Sequence, residues 1–276
     1  MRYLISLALT FLASGCAHME YVSPLASLER AMIFHPTEYP ARVPDIPNLA
    51  VEDAWIESPD GVKLHGLFVE HPNAQGVALF CHGNAGTVAH RIETLAVLNH
   101  RNRLSVLAFD YQGYGKSEGK PSQFGILRDA RAARTWLAKR AGVAESEVIL
   151  MGRSLGGAVA VDLASEDGAK GLVLASTFTS LPDVAHRHLP WVPVHMLMTH
   201  RLNSLEKIKR YSGPLLYSHG DADEVIPYDL GKKLYDAAPG PKQFVSTPGG
   251  THNSRQTDEY RQAFDQFILA ISRDEQ

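Results

Sequence analysis

The hexapeptide Gly152-Arg153-Ser154-Leu155-Gly156-Gly157 lies between an apolar run, Val148 to Met151, and an alanine-rich stretch, Ala158 to Ala164. The pattern predicts a strand, a sharp turn and a helix, with a hydroxyl at the turn. The glycines two before and two after Ser154 let the backbone turn without a Cβ clash. The helix start supplies backbone N–H groups and a positive dipole end. A serine hydroxyl is a poor nucleophile at neutral pH. It needs a base to take its proton and a carboxylate to orient that base. Both residue types follow. The stretch His219-Gly220-Asp221-Ala222-Asp223-Glu224-Val225-Ile226-Pro227 offers three acids after a strand pattern. Pro248-Gly249-Gly250-Thr251-His252-Asn253 offers an imidazole between the last strand pattern and the final helix. The chain holds 13 histidines, and this position singles out His252 as the base. Such a set attacks acyl carbonyls.

Two other stretches are rich in glycine. His82-Gly83-Asn84-Ala85-Gly86 follows the apolar run Val77 to Phe80. Asp110-Tyr111-Gln112-Gly113-Tyr114-Gly115-Lys116-Ser117 follows Val106 to Phe109. Its Gly-Lys-Ser ending suggests a phosphate-binding loop, but Asp110 stands where that motif requires its first glycine. Nucleotide binding is therefore rejected. His186, His188, His195 and His200 match no zinc spacing, and no cysteine supports them, so no metal is expected.

Taken in order, HGNAG, DYQGYGKSEG, GRSLGG, HGDADEVIP and GGTHN resemble the α/β-hydrolase superfamily. The likeness is to its serine-hydrolase branch, which contains the α/β-hydrolase-domain lipases and protein depalmitoylases. It runs from about Ala31 to the C-terminal helix. The resemblance implies Ser154 as nucleophile and His252 as base. The family pattern G-x-x-D-x-x-(V/I)-P puts the acid on Asp223, leaving Asp221 to fix its loop by bonding backbone amides. It also implies an oxyanion hole from the N–H of Leu155, after the nucleophile, and the backbone of Asn84. Acyl transfer to water needs no cofactor. The fold alone does not choose the substrate.

The elements that must position these residues alternate. Ala54 to Glu57 and Lys63 to Val69 read as two strands around a Pro59-Asp60-Gly61 turn. Val77 to Phe80, Val106 to Phe109, Val148 to Met151, Gly171 to Ala175, Pro214 to Ser218 and Lys242 to Val245 read as buried strands. Helical spacing separates them at 87–99, 124–141, 228–237 and 260–271. The fold class is therefore α/β: a mainly parallel eight-stranded sheet with helices on both faces. One interval breaks the alternation. Residues 176–213 hold no strand pattern but contain Leu189-Pro190-Trp191-Val192-Pro193 and Met196-Leu197-Met198. A connection that long is functional or lid-like, so a short cap is expected at about 178–212.

Composition sets the frame. The chain has 276 residues, 45% hydrophobic and 21% charged, with a formal net charge of −3, so no nucleic-acid partner is suggested. The N-terminus reads as an address: Arg2, then an apolar core from Tyr3 to Leu12 too short to span a bilayer. Leu12-Ala13-Ser14-Gly15-Cys16 resembles the lipobox of bacterial lipoproteins, with Ala13 where leucine is commonest. This implies a signal peptide at 1–15, lipidation of Cys16, a tether and edge segment at 16–50, and the hydrolase domain at 51–276. The expected location is the cell envelope, on the periplasmic side of the outer membrane in a Gram-negative cell. With Cys16 lipidated, Cys81 stands alone and reads as a small buried residue.

The expected activity is hydrolysis of carboxylic ester or thioester bonds in a small-molecule or lipid-like acyl substrate, through an acyl-enzyme. Two alternatives use the same sequence. One is a serine peptidase or amidase on the same residues. The other is a non-catalytic envelope binding protein, against which the intact set of nucleophile, acid, base and glycine loops argues.

Overall fold

A computed structural model describes residues 24–273. The expected signal peptide, the expected lipidation of Cys16 and the first part of the expected tether lie outside the described residues. In chain order the main elements are α1 (Pro24–Ile33), β1 (Val51–Glu57), β2 (Lys63–Val69), β3 (Gly76–Cys81), α2 (Ile92–His100), β4 (Leu104–Phe109), α3 (Gln123–Ala141), β5 (Val148–Arg153) and α4 (Leu155–Asp167). They continue with β6 (Gly171–Ala175), α5 (Leu181–His188), α6 (Val194–Leu197), α7 (Ser204–Ile208), β7 (Leu215–Gly220), α8 (Tyr228–Ala237), β8 (Lys242–Thr247) and α9 (Asp258–Arg273). The expected helix at 87–99 is divided: Val88–Arg91 is a 3-10 turn, and the α-helix starts at Ile92. The Asp110 carboxylate accepts the Val88 N–H at 2.8 Å and so fixes the start of that turn.

The strands form one eight-stranded sheet in the order β1-β2-β4-β3-β5-β6-β7-β8. β1 pairs antiparallel with β2, β2 antiparallel with β4, and the remaining pairs are parallel. The chain moves outward from β3 to β4, then returns to β5 on the other side of β3. Connections therefore diverge above β3 and β5, the crevice where open α/β sheets place their sites. Ser154 and the Asn84 loop end those two strands.

Both faces of the sheet are buried, which is why its central strands read as unbroken apolar runs. Along β5, Val148 and Leu150 join one core cluster with residues of α3, α4 and α8. Ile149 and Met151 join the other, with Ile92, Leu95 and Leu98 of α2 and Phe264, Ile268 and Ile271 of α9. Cys81 is a buried free thiol whose pKa burial pushes far up, so it is no nucleophile. Between β6 and β7 the interval without strands holds the short helices α5, α6 and α7. Tyr39, Val43, Ile46 and Leu49 lie against the second cluster, so the chain before β1 packs on that face of the sheet. Among the described residues no helix is long and apolar enough to cross a membrane.

Backbone packs closely on backbone at the start of α4. A Cβ on Gly156 would lie 2.0 Å from the Cys81 carbonyl oxygen, and one on Gly152 would lie 2.3 Å from the Gly156 carbonyl oxygen. Those obstacles are backbone and cannot swing aside. Gly156→Ala is expected to destabilise the fold by at least about 3 kcal/mol, well beyond a common surface substitution. Urea unfolding of both proteins measures it, and a loss under about 1 kcal/mol would mean that the helix start gives way easily.

Candidate active site

Ser154 joins β5 to α4 with φ 53° and ψ −122°. A left-handed φ strains a residue that carries a Cβ, and surrounding bonds must impose it. They do so at both ends of the residue. The Ser154 N–H donates to Ala175 O at 2.9 Å. Its carbonyl accepts the Gly157 N–H at 3.0 Å and the Thr177 hydroxyl at 2.8 Å. The neighbouring strand β6 and the residues just after it thus grip the turn. Thr177 fits there because Gly157 has no side chain: a Cβ on it would lie 2.5 Å from Thr177 Cβ.

The three competing acids separate in space. Asp223 Oδ2 lies 2.8 Å from His252 Nδ1. Asp221 accepts the Gly249 N–H at 2.6 Å and ties the loop after β7 to the loop after β8. Glu224 only approaches the His252 backbone N–H, at 3.4 Å. The Asp223 side chain is fully buried, and its Oδ1 accepts the N–H groups of Val225 and Ile226 at 2.9 and 2.8 Å. Burial alone would raise its pKa. Hydrogen bonds from His219, His252 and the Ile226 N–H outweigh burial and hold it far below the usual carboxylate range. The carboxylate is therefore ionised wherever the protein is folded at neutral pH.

His219 was not legible as part of this site. Its Nε2 lies 2.9 Å from Ile226 O and 3.2 Å from Asp223 Oδ2, behind the acid and away from solvent. Gly231 of α8 leaves room for it, since a Cβ there would lie 2.0 Å from His219 Nδ1. Arg153, at a position the serine motif leaves open, also belongs to the site. Its guanidinium donates to the His252 carbonyl and, at 3.3 Å, to Asn253 Oδ1. The histidine loop is thereby docked on the serine turn. Among the described residues the Ser154 hydroxyl itself makes no hydrogen bond, so the acid and base are joined and the base and alcohol are not.

The Asn84 loop lies against the turn: a Cβ on Gly83 would be 3.6 Å from Ser154 Cβ. The backbone N–H groups of Asn84 and Leu155 have no partner among the described residues. The Asn84 carbonyl, by contrast, accepts the His35 N–H at 3.1 Å and the Tyr114 hydroxyl at 2.9 Å. Its side-chain amide donates to Ile33 O at 3.1 Å. The end of α1 therefore helps to hold this loop, and nothing in the sequence announced it. Glu29 on the same helix accepts from the backbone N–H groups of Thr199 and His200 and lies 2.9 Å from His200 Nδ1, locking α1 to the segment after α6. The glycine-rich stretch after β4 supports the loop from below. Tyr111 donates to His82 O at 3.0 Å, and Ser117 donates to Asp110 O at 2.7 Å. The histidines weighed as metal ligands serve elsewhere: His195 lies 3.0 Å from Asp183, and His188 lies 2.9 Å from Val225 O.

Similarity to known proteins agrees with this geometry. The family described as serine aminopeptidase, S33 matches residues 72–205. An uncharacterised protein of Mycobacterium tuberculosis is 40% identical over 231 residues, covering 82% of this chain and 81% of its own. The α/β-hydrolase domain-containing protein WAV2 of Arabidopsis thaliana is 36% identical, covering 77% of this chain and 74% of its own. Among solved structures, the esterase Est1E of Butyrivibrio proteoclasticus with bound ferulic acid shares the fold at TM-score 0.66 and 24% identity, over 79% of this chain and 98% of its own. The Pyrococcus furiosus esterase Pf2001 shares it at TM-score 0.65 and 18% identity, over 86% of this chain and 97% of its own.

The lowered pKa of Asp223 makes the site a source of pH-dependent stability. In the unfolded chain an aspartate titrates at about 3.9. A group depressed on folding stabilises the protein above that value, and the contribution is lost as the pH falls through the folded value. The stability difference between wild type and Asp223→Asn should therefore shrink as the pH is lowered from about 5 to below about 3. Urea unfolding at a series of pH values reads it. A difference that stays constant on acidification would show that the ionised carboxylate is not what holds the histidine loop.

Proposed function

The chain belongs to the α/β-hydrolase superfamily, and from that premise we propose that it is a serine hydrolase of carboxylic ester or thioester bonds. The observation that carries the reading is the Asp223–His252 pair, docked by Arg153 onto the strained Ser154 turn. His252 Nδ1–H donates to Asp223, which leaves Nε2 as the proton acceptor. In the reaction Nε2 takes the Ser154 proton as Oγ bonds to the acyl carbon. The carbonyl electrons move onto its oxygen, which the Asn84 and Leu155 N–H groups receive. The tetrahedral intermediate then expels the alcohol or thiol, protonated by His252. Water repeats the sequence on the acyl-enzyme and releases the acid. Contact between Ser154 Oγ and Nε2 requires a rotation of the serine side chain or a small shift of the histidine loop. Such bonds are often long without substrate and close in the complex.

An acyl substrate is supported by the interval between β6 and β7. Trp191 and Met196 there are 78% and 84% exposed and leave apolar surface open to an acyl chain. A second reading, cleavage of an amide by an aminopeptidase, is favoured by the description of the family matching residues 72–205. The strained serine turn argues against a non-catalytic envelope protein, because a binding scaffold has no use for it. We further propose that Cys16 is lipidated after cleavage of residues 1–15, which tethers the enzyme to a membrane of the cell envelope. In a Gram-negative cell, Ala17 after the cysteine favours the outer membrane on its periplasmic side.

Ser154→Ala is expected to abolish hydrolysis of short p-nitrophenyl esters and labelling by a fluorophosphonate. Asp223→Asn is expected to lower kcat about a thousand-fold or more, and Asp221→Asn far less. The opposite ranking would move the acid to Asp221, and an unlabelled wild type would sink the serine mechanism. A panel of esters, thioesters and anilides separates the first reading from the second. For anchoring, wild-type cells fed labelled palmitate should mark the protein, and Cys16→Ser cells should not. Equal label in both would dispose of the lipid anchor.

A further inference from the structure

Two arginines beside the nucleophile carry charge that no acid balances. Arg91 ends the 3-10 turn after the Asn84 loop, and its Nη2 donates to Ala85 O at 2.7 Å. Arg153 directly precedes Ser154, and its Nη2 serves the histidine loop. Among the described residues neither guanidinium is ion-paired with a carboxylate. One nitrogen of each is used by backbone or amide oxygens, and Arg91 Nε is buried without an acceptor. Several arginines elsewhere on the chain are paired with acids. Arg131 reaches Asp162 and Asp167, and Arg134 faces Glu145. Arg128 holds Asp60, and Arg140 holds Glu52 and Glu70.

The two charges also feel each other. Burial lowers the pKa of Arg91, and repulsion from Arg153 lowers it further. Asp110 and Asp223 are the carboxylates whose fields reach them, but both are committed to other donors. A half-buried guanidinium pair without a counter-ion is costly, and an arriving oxyacid anion relieves that cost. Arginine suits the task, since its planar fork matches carboxylate and phosphate oxygens. Arg153, though not Arg91, lines a cavity of about 460 Å³ between α2 and α9, floored by Phe80, Met151 and Val173. Four arginines line it, Arg101, Arg153, Arg255 and Arg261, against one acid, Glu93. Asp265 and Asp258 neutralise Arg101 and Arg261, which leaves Arg153 and Arg255 against Glu93, a positive excess that draws an anion inward.

We propose that Arg91 and Arg153 bind a carboxylate or phosphate group carried by the substrate, so that this enzyme acts on anionic acyl compounds. The substrate assignment rests on the serine-hydrolase reading. The anion pocket itself does not, and the two are tested separately.

Inorganic phosphate titrated by calorimetry into the full-length Ser154→Ala protein needs no turnover. Saturable binding is expected, weakened at least about ten-fold when Arg91→Gln is added and largely restored by Arg91→Lys. The lysine variant keeps the charge and so distinguishes lost binding from lost folding. Acetate in the same titration separates carboxylate from phosphate preference. No binding of either anion, or equal binding with and without Arg91→Gln, would overturn the pocket. With active protein, two matched pairs of esters locate the charge. Mono-p-nitrophenyl adipate against p-nitrophenyl hexanoate places it on the acyl side. 3-Carboxy-4-nitrophenyl butyrate against p-nitrophenyl butyrate places it on the leaving side. One anionic member should be preferred in kcat/KM, and Arg91→Gln should reduce that preference about ten-fold. A wild type that cleaves every ester without preference overturns the substrate assignment and leaves the hydrolase. Arg91-dependent phosphate binding in a protein that cleaves no ester supports the pocket and removes the hydrolase.

Discussion

The close approach of α4 to the end of β3 governs the rest of the site. Gly156 lies against the carbonyls of Cys81 and His82, where any side chain would collide. With the helix start fixed there and Arg153 still paired in β5, the intervening serine must take the whole change of direction. Its positive φ follows, and the bonds from Gly157 and Thr177 hold it. The same contact brings the loop after β3 beside the turn, so one piece of packing sets Ser154 and the N–H groups of Asn84 and Leu155. The glycines at 152, 156 and 157 are needed for close approach rather than for unusual dihedral angles. The unusual dihedral belongs to Ser154.

A second constraint is electrostatic. Asp223 is an ionised carboxylate in a site with no access to water, which is tolerable only because it accepts from two backbone N–H groups and from imidazole. His219 closes the rear of this arrangement. The result is a carboxylate whose orientation is set by the loop after β7, not by the histidine it serves. His252 sits in a partly exposed loop after β8, held by Asp223 through its ring and by Arg153 through its carbonyl. In the proposed reaction, bringing its imidazole onto the Ser154 hydroxyl would leave the backbone bonds of Asp223 in place.

The sequence made the architecture legible because each structural requirement left a local trace. Strands buried on both faces need continuous apolar runs, and Val148 to Met151 supplies one residue to each core in turn. Six of the eight strands were readable on that basis and the first two from the turn between them, but the antiparallel pairing of β2 with β4 left no such trace. Asp223 was readable only through the resemblance of its loop to a family pattern, since three acids lie within four residues. The parts that were not legible act through the backbone or across long separations. Ile33 and His35 touch Asn84 through main-chain groups, which no residue type encodes. His219 is one histidine among 13, and only its place behind Asp223 distinguishes it. Arg153 occupies a position that the serine motif leaves open, so its docking of the histidine loop had no signature. The division of the segment after Thr87 into a 3-10 turn and a helix depends on Asp110, more than twenty residues later.

The N-terminal segment ties these threads together. Helix α1 stands where a tether would enter the domain, yet its end hydrogen-bonds to the loop that carries the Asn84 N–H, and Glu29 clasps the segment after α6. Deleting such a helix would remove more than a spacer. The Asn84 loop would keep its support from Tyr114 and Arg91 but lose the bond from the Asn84 side chain to Ile33 O, and the adjoining bond from the His35 N–H to Asn84 O would lose its anchorage. For an oxyanion donor of the kind proposed for Asn84, being held in place before charge develops is what counts, so looseness there would weaken transition-state binding more than substrate binding. Helix α1 and Arg91 both bond the loop that carries the Asn84 N–H, the first through Ile33 O and the second through Ala85 O.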